Sequence, residues 1–87
     1  MFDSIGLALV TAGHDRGALC LVLREEGERL LLADGKLRKL SRPKRKNRKH
    51  VMFLPDSLWE DVRGRLSPEP TDAALRRALA WARSQQD

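Results

Sequence analysis

Nine cationic side chains and no carboxylate lie between residues 36 and 54: Lys36, Arg38, Lys39, Arg42, Lys44, Arg45, Lys46, Arg48 and Lys49. Asn47 and His50 stand among them as further hydrogen-bonding groups. The chemistry open to such a run is ion pairing with a polyanion. Each lysine or arginine that neutralises a phosphate releases a condensed counterion, and the arginine fork bridges two oxygens at once. A solvated face normally interleaves the two signs, so an unbroken cationic run usually marks a surface for polyanions, the alternative being a solubilising loop with no specific partner. Residues 1–35 carry three basic and six acidic side chains, and residues 55–87 five and six, so the formal net charge of +5 arises wholly in this segment. No Phe, Tyr or Trp lies between Lys36 and Met52. Base stacking on rings interleaved with the charge is therefore missing, which favours phosphate and shape recognition of folded RNA.

A second candidate is the loop Gly13-His14-Asp15-Arg16-Gly17. Two glycines four apart let the backbone turn tightly and approach another backbone closely, so its amides and Arg16 could meet a phosphate. A purely structural hairpin fits the same residues equally well. His14 and Asp15 are adjacent, but no serine or cysteine nucleophile is suggested beside them. His14, His50 and Cys20 lack ligand-like spacing for zinc. No catalytic residue, metal, cofactor or small-molecule substrate is expected, and an enzyme is the least favoured class.

The elements that must position these groups are short. A chain of 87 residues is at or below one ordinary domain, with a thin core that a bound partner would stabilise. From Ile5 to Leu54, apolar runs of four or five residues are cut by glycines: Leu7 to Val10, Leu19 to Leu23, Leu30 to Ala33, Leu37 to Leu40 and Val51 to Leu54. Residues 24–39 could be drawn as a helix interrupted at Gly35, but the glycine punctuation and run lengths favour strands. Asp34-Gly35 predicts a two-residue hairpin. Residues 41–50 are expected to be extended and mobile until something negative arrives.

The character changes at Pro55. Ser57 with Glu60 predicts a capping box, followed by a helical stripe of Leu58, Trp59, Val62 and Leu66. After the break Ser67-Pro68-Glu69-Pro70, Thr71 predicts an N-cap, and Leu75, Ala78, Leu79 and Ala82 fall on one face of a final helix. Trp59 and Trp81 are expected to fill a core or seam, and Cys20 to be a small buried hydrophobe. No apolar stretch reaches the ~18–20 residues of a membrane span. Asp3 precedes the first apolar run without any Lys or Arg, the wrong charge for a secretory signal. One cysteine permits no disulfide within the chain, so a reducing cytoplasm is expected.

Gly6 to Val22 resembles a KOW motif, in which a tight glycine-bearing loop joins two strands and a near-obligatory glycine matches Gly17. The blocks Ala33-Asp34-Gly35-Lys36-Leu37-Arg38-Lys39-Leu40 and Pro43-Lys44-Arg45-Lys46-Asn47-Arg48-Lys49-His50 narrow the resemblance. They are similar to bacterial KOW-domain RNA-binding proteins, themselves similar to an archaeal and eukaryotic large-subunit ribosomal protein. The tail Thr71 to Leu79 also resembles the end of those bacterial proteins. One departure is His14, where the loop usually has Arg or Lys, and an imidazole lacks their permanent charge. The resemblance implies a mainly β chain. Residues 1–54 would form a small SH3-like (KOW) barrel of about five strands including the basic loop 41–50, and residues 55–87 a C-terminal extension of two short helices. It further implies RNA binding and association with the ribosome or its assembly, with ribosomal RNA, a ribosomal subunit or ribosomal protein neighbours as partners. The alternative is a protein–protein adaptor of the transcription or translation machinery, using the barrel and the tail helix. A polybasic membrane binder ranks last, since no lipidation signal or basic amphipathic helix adjoins the loop.

Overall fold

A computed structural model describes residues 4–85; Asp3, which entered the reading of the N-terminus, lies outside them. Five strands form one antiparallel sheet: β1 (Gly6–Val10), β2 (Leu19–Glu26), β3 (Arg29–Ala33), β4 (Lys44–Asn47) and β5 (Val51–Phe53). Helices α1 (Asp56–Arg63) and α2 (Asp72–Ser84) follow. The strand order is β4-β3-β2-β1-β5, so β4 and β5 are the two edges and only a 3-10 turn, Arg48–His50, separates them in the chain. The described ladders leave the sheet open, with none joining β4 to β5. The expected architecture is thus met as a strand-rich sheet with two helices.

The near-continuous apolar runs of β2 and β3 have a direct cause: both faces of the sheet are covered. Leu7, Leu21 and Ala33 stand side by side across β1, β2 and β3 and pack against Trp59, Val62, Leu75, Ala78, Leu79 and Ala82 of the helices. On the opposite face Ala8, Val10, Cys20, Val22, Leu30 and Leu32 form a second cluster with Ala18 and Val51. A β-bulge between Val22 and Arg24 shifts the register of β2, so that its charged end, Arg24 to Glu26, runs on beside β3.

Both helices seal the first face. All four stripe residues of α2 are buried, and Thr71 Oγ1 accepts from the Ala74 amide at 3.1 Å as the predicted cap. The apolar face of this helix is therefore spent on the chain's own sheet. In α1 the capping box does not form. The helix begins at Asp56, Pro55 takes the cap position, and its carbonyl accepts from the Leu58 and Trp59 amides. Proline's preset φ, −56° here, starts the turn before Ser57 is reached. Trp59 is buried as expected, while Trp81 is half-buried with the Arg65 guanidinium 3.7 Å from its ring centroid.

The basic segment departs from expectation in where its strand lies. Leu37 to Leu40 is a run of bends and turns, not a strand, and Leu37 is 78% exposed. The strand comes instead from Lys44–Asn47, inside the stretch expected to be extended and mobile. The edge of β3 offers backbone groups that any sequence can pair, and Leu30, Leu31 and Leu32 take Lys46, Arg45 and Lys44 as their partners. Carboxylates at the end of β2 and in the 13–17 loop offset the repulsion that argued against it. Lysine-rich edges are also a common device against edge-to-edge association.

The hairpin expected at Asp34-Gly35 is also displaced. The sheet's two-residue hairpin turn is Gly27-Glu28, between Glu26 and Arg29. Asp34 instead folds the following chain onto itself, its Oδ1 accepting from the Lys36 and Arg38 amides at 2.8 Å each. The start of α2 then captures this segment. Leu40 N–H donates to Asp72 Oδ1 at 2.8 Å, and Arg76 donates to the Gly35 carbonyl at 2.6 Å. Gly35 is buried at φ +79°, and a Cβ there would collide with the Asp72 carbonyl, so side-chain-free backbone is required.

Candidate nucleic-acid interface

The two candidate regions, distant in sequence, meet in space. Lys44 Nζ donates to Asp15 Oδ2 at 2.6 Å, and Arg38 approaches the other oxygen at 3.7 Å. Lys46 lies over Gly13, its Nζ 2.8 Å from where a Cβ would stand. By strand alternation Lys44 and Lys46 face the same side as Leu32 and Leu30, the side of the second apolar cluster, which brings them to the 13–17 loop. Helix α2 steadies this loop as well, Arg83 donating to the Gly17 carbonyl at 3.2 Å. Arg76 and Arg83, seven residues apart on α2, thus hold the two loops that flank the basic strand.

On the other side of β4, Arg45 donates to Glu26 Oε1 at 3.0 Å and Arg24 reaches the second oxygen at 3.2 Å; just past the strand's end Arg48 pairs with Glu25. Four of the nine cations are therefore turned toward the chain's own carboxylates: Arg38, Lys44, Arg45 and Arg48. Among the described residues Lys36, Lys39, Arg42, Lys46 and Lys49 make no ion pair, and all but the half-buried Lys46 are exposed. Three carboxylates cannot neutralise nine cations, and the pairs they make are solvated ones that contribute little to stability. Sequence reasoning missed this pairing. Asp15, Glu25 and Glu26 lie in loops and strand ends that only the fold brings beside β4.

Asn47 and His50 have structural roles. Asn47 Oδ1 accepts from the Lys49 amide at 3.0 Å and caps the 3-10 turn, while the His50 carbonyl accepts from the Thr11 amide. His14 and Arg16 are exposed on the 13–17 loop. The Asp15 carboxyl is held below its ordinary range, chiefly by the hydrogen bond from Lys44, against some opposing desolvation. Glu26 is likewise lowered by hydrogen bonds from Arg45 and then Arg24. Burial pushes the Cys20 thiol up to about 12, which leaves it an inert core group at neutral pH.

Between the 13–17 loop and residues 34–38 opens a cavity of about 330 Å³. Val10, Ala18, Cys20 and Leu32 form its apolar floor, and Arg16, Arg38 and Lys44 stand among the charged groups at its edge. Among the described residues no three His, Cys, Asp or Glu side chains cluster as a metal would need, and no helix is long and apolar enough to cross a membrane. No protein-family model matches the chain, and no curated protein is significantly similar to it.

Proposed function

We propose that this chain binds structured RNA, ribosomal RNA in the first place, and acts on the ribosome or during its assembly. The observation that carries the reading is the acid-free run 36–54, whose cations outnumber the carboxylates beside them and are displayed along an edge strand and its two flanking turns. The likeness of residues 6–54 to KOW-domain RNA-binding proteins points the same way. On this reading the open sheet corresponds to an SH3-like barrel, the chain works in the cytoplasm, and phosphates replace or supplement the internal carboxylate partners. Arg45 and Arg48 are suited to such an exchange, because their side chains are more than half exposed while paired.

Five unpaired cations set the scale. Contact by all five gives a plot of log K against log salt with slope about −3.5 to −4.5. Two measurements test the proposal: RNA affinity across a salt series, and co-sedimentation with ribosomal subunits at moderate salt. A slope near zero, or no RNA binding in dilute buffer, rejects RNA recognition. Recovery only at the top of the gradient rejects the ribosomal assignment.

A protein–protein adaptor is favoured by a separate observation. Met52 and Phe53 of edge strand β5 are 50% and 43% exposed, and Ile5 adjoins β1 at 45%. Large apolar groups on an unpaired edge suit strand addition by a partner. Nuclease-insensitive pull-downs lost on Phe53→Lys select this reading.

A further inference from the structure

We infer that the cavity between the 13–17 loop and residues 34–38 receives a single unpaired nucleobase of the bound RNA. The inference rests on the RNA-binding reading and specifies how that surface distinguishes one RNA from another. The cavity is the uncovered end of the second apolar cluster. Val10, Cys20 and Leu32, which are 1%, 3% and 2% exposed, line its inner end together with Ala18. The face opposite packs against two helices, whereas here the cluster ends against the 13–17 loop and residues 34–38, and the opening between those loops leads to it. At about 330 Å³ it sits at the small end of the roughly 300–1,000 Å³ range of ligand pockets, so its occupant is one ring system and not a peptide helix.

The rim decides the chemistry of that occupant. Its charged lining is Arg16, which makes no ion pair among the described residues, Arg38 and Lys44, which share the Asp15 carboxylate, and Asp34, whose Oδ1 is engaged by the Lys36 and Arg38 amides. An apolar lining beside three cations, which outnumber two carboxylates already engaged by the chain's own donors, complements a group that is flat and weakly polar inside and anionic outside. A nucleotide has that form, the base entering and its phosphates remaining at the rim. A base within a duplex cannot enter without leaving the stack, which is inexpensive only where it is already bulged or unpaired. Apolar side chains can sandwich an extruded base much as aromatic rings do. Leu37, 78% exposed at the mouth, is placed to close over it. The pocket therefore supplies what the aromatic-free basic segment lacks, a means of sensing an unstacked base.

The test compares one RNA hairpin in three forms: with a single bulged nucleotide, with an abasic residue at the bulge, and fully paired. The full chain is expected to bind the bulged form about tenfold more tightly than the other two. Ala18→Phe, which fills the pocket, should abolish that preference while leaving affinity for the paired hairpin unchanged. Leu37→Asp, on an exposed residue that leaves the core intact, should also reduce it. Equal affinity for all three forms, with salt-dependent binding retained, overturns the pocket and leaves RNA binding standing. Failure to bind any of them in dilute buffer overturns the RNA-binding reading itself. Displacement of the bulged hairpin to the level of the paired one by millimolar nucleoside monophosphate would assign the pocket to free nucleotides, and overturns the inference in that way.

Discussion

The two edges of this sheet are built by opposite means. Edge β4 is Lys-Arg-Lys-Asn, without one apolar side chain, and edge β5 is Val-Met-Phe, without one charge. Both pair through backbone groups with a leucine-bearing neighbour, so the ladder itself does not distinguish them. What differs is how each is held. The chain leaves β5 directly into α1, with the Leu54 amide on the Leu7 carbonyl, and one turn of helix anchors it to the core. Strand β4 has no apolar anchor and depends on ion pairs with Asp15, Glu25 and Glu26 and on the capture of residues 35–40 by α2. Hydrophobic burial is spent where the chain needs only stability. Backbone pairing with β3, solvated ion pairs and the hold of α2 on residues 35–40 keep the charged strand in place.

The largest effect that separates the edges is expected from charge removal. Replacing Lys36, Lys39, Arg42, Lys46 and Lys49 together by alanine should lower RNA affinity about a thousandfold or more at 0.1 M salt and flatten the salt dependence. Phe53→Lys on the other edge should change neither by more than a few-fold. Affinity measured across a salt series for the two variants checks this, and equal losses would erase the distinction between the edges.

A smaller effect, on stability, tests whether α2 holds β4. Gly35→Ala forces a side chain into positive φ and against the Asp72 carbonyl, at an expected cost of about 2–3 kcal/mol. Hydrogen exchange should then speed up at the amides of Lys44–Asn47 more than at those of Val51–Phe53. Uniform acceleration would mean that the strands open as one unit and that α2 has no special hold on the basic edge.

The contrast also explains what could be read in advance. Strands β1, β2, β3 and β5 and both helices were legible because each carries an apolar run or stripe bounded by Gly, Pro or a capping residue. The Leu75, Ala78, Leu79, Ala82 face is an example in which periodicity alone sufficed. Strand β4 was illegible because nothing in Lys44 to Asn47 is apolar or β-branched, and its formation depends on a free β3 edge and on distant carboxylates. The Asp34-Gly35 turn misled for a similar reason. Its local chemistry is that of a tight hairpin, but Asp72 and Arg76, more than thirty positions on, offer the segment better partners. The composition of the candidate site was plain, whereas its internal neutralisation by Asp15, Glu25 and Glu26, and the cavity beneath Leu37, required the fold.

The smallest expected effect concerns the ion pair that ties the 13–17 loop to β4. Asp15→Asn removes the carboxylate shared by Lys44 and Arg38, and should lower stability by at most about 1 kcal/mol, since both partners retain some solvent. The same change should raise RNA affinity about two- to fivefold, because two cations are released and one repulsive charge is gone. The pH dependence has a defined sign. Asp15 has its carboxyl held low in the folded chain, so the stabilisation is complete above the carboxyl's unfolded value and is lost as pH falls through the folded one. The stability difference between wild type and variant should therefore be constant from neutrality to about pH 5 and vanish only in stronger acid. Paired thermal melts over that range check it, and a difference that grew on acidification would show that Asp15 is not the group holding the loop to the basic edge.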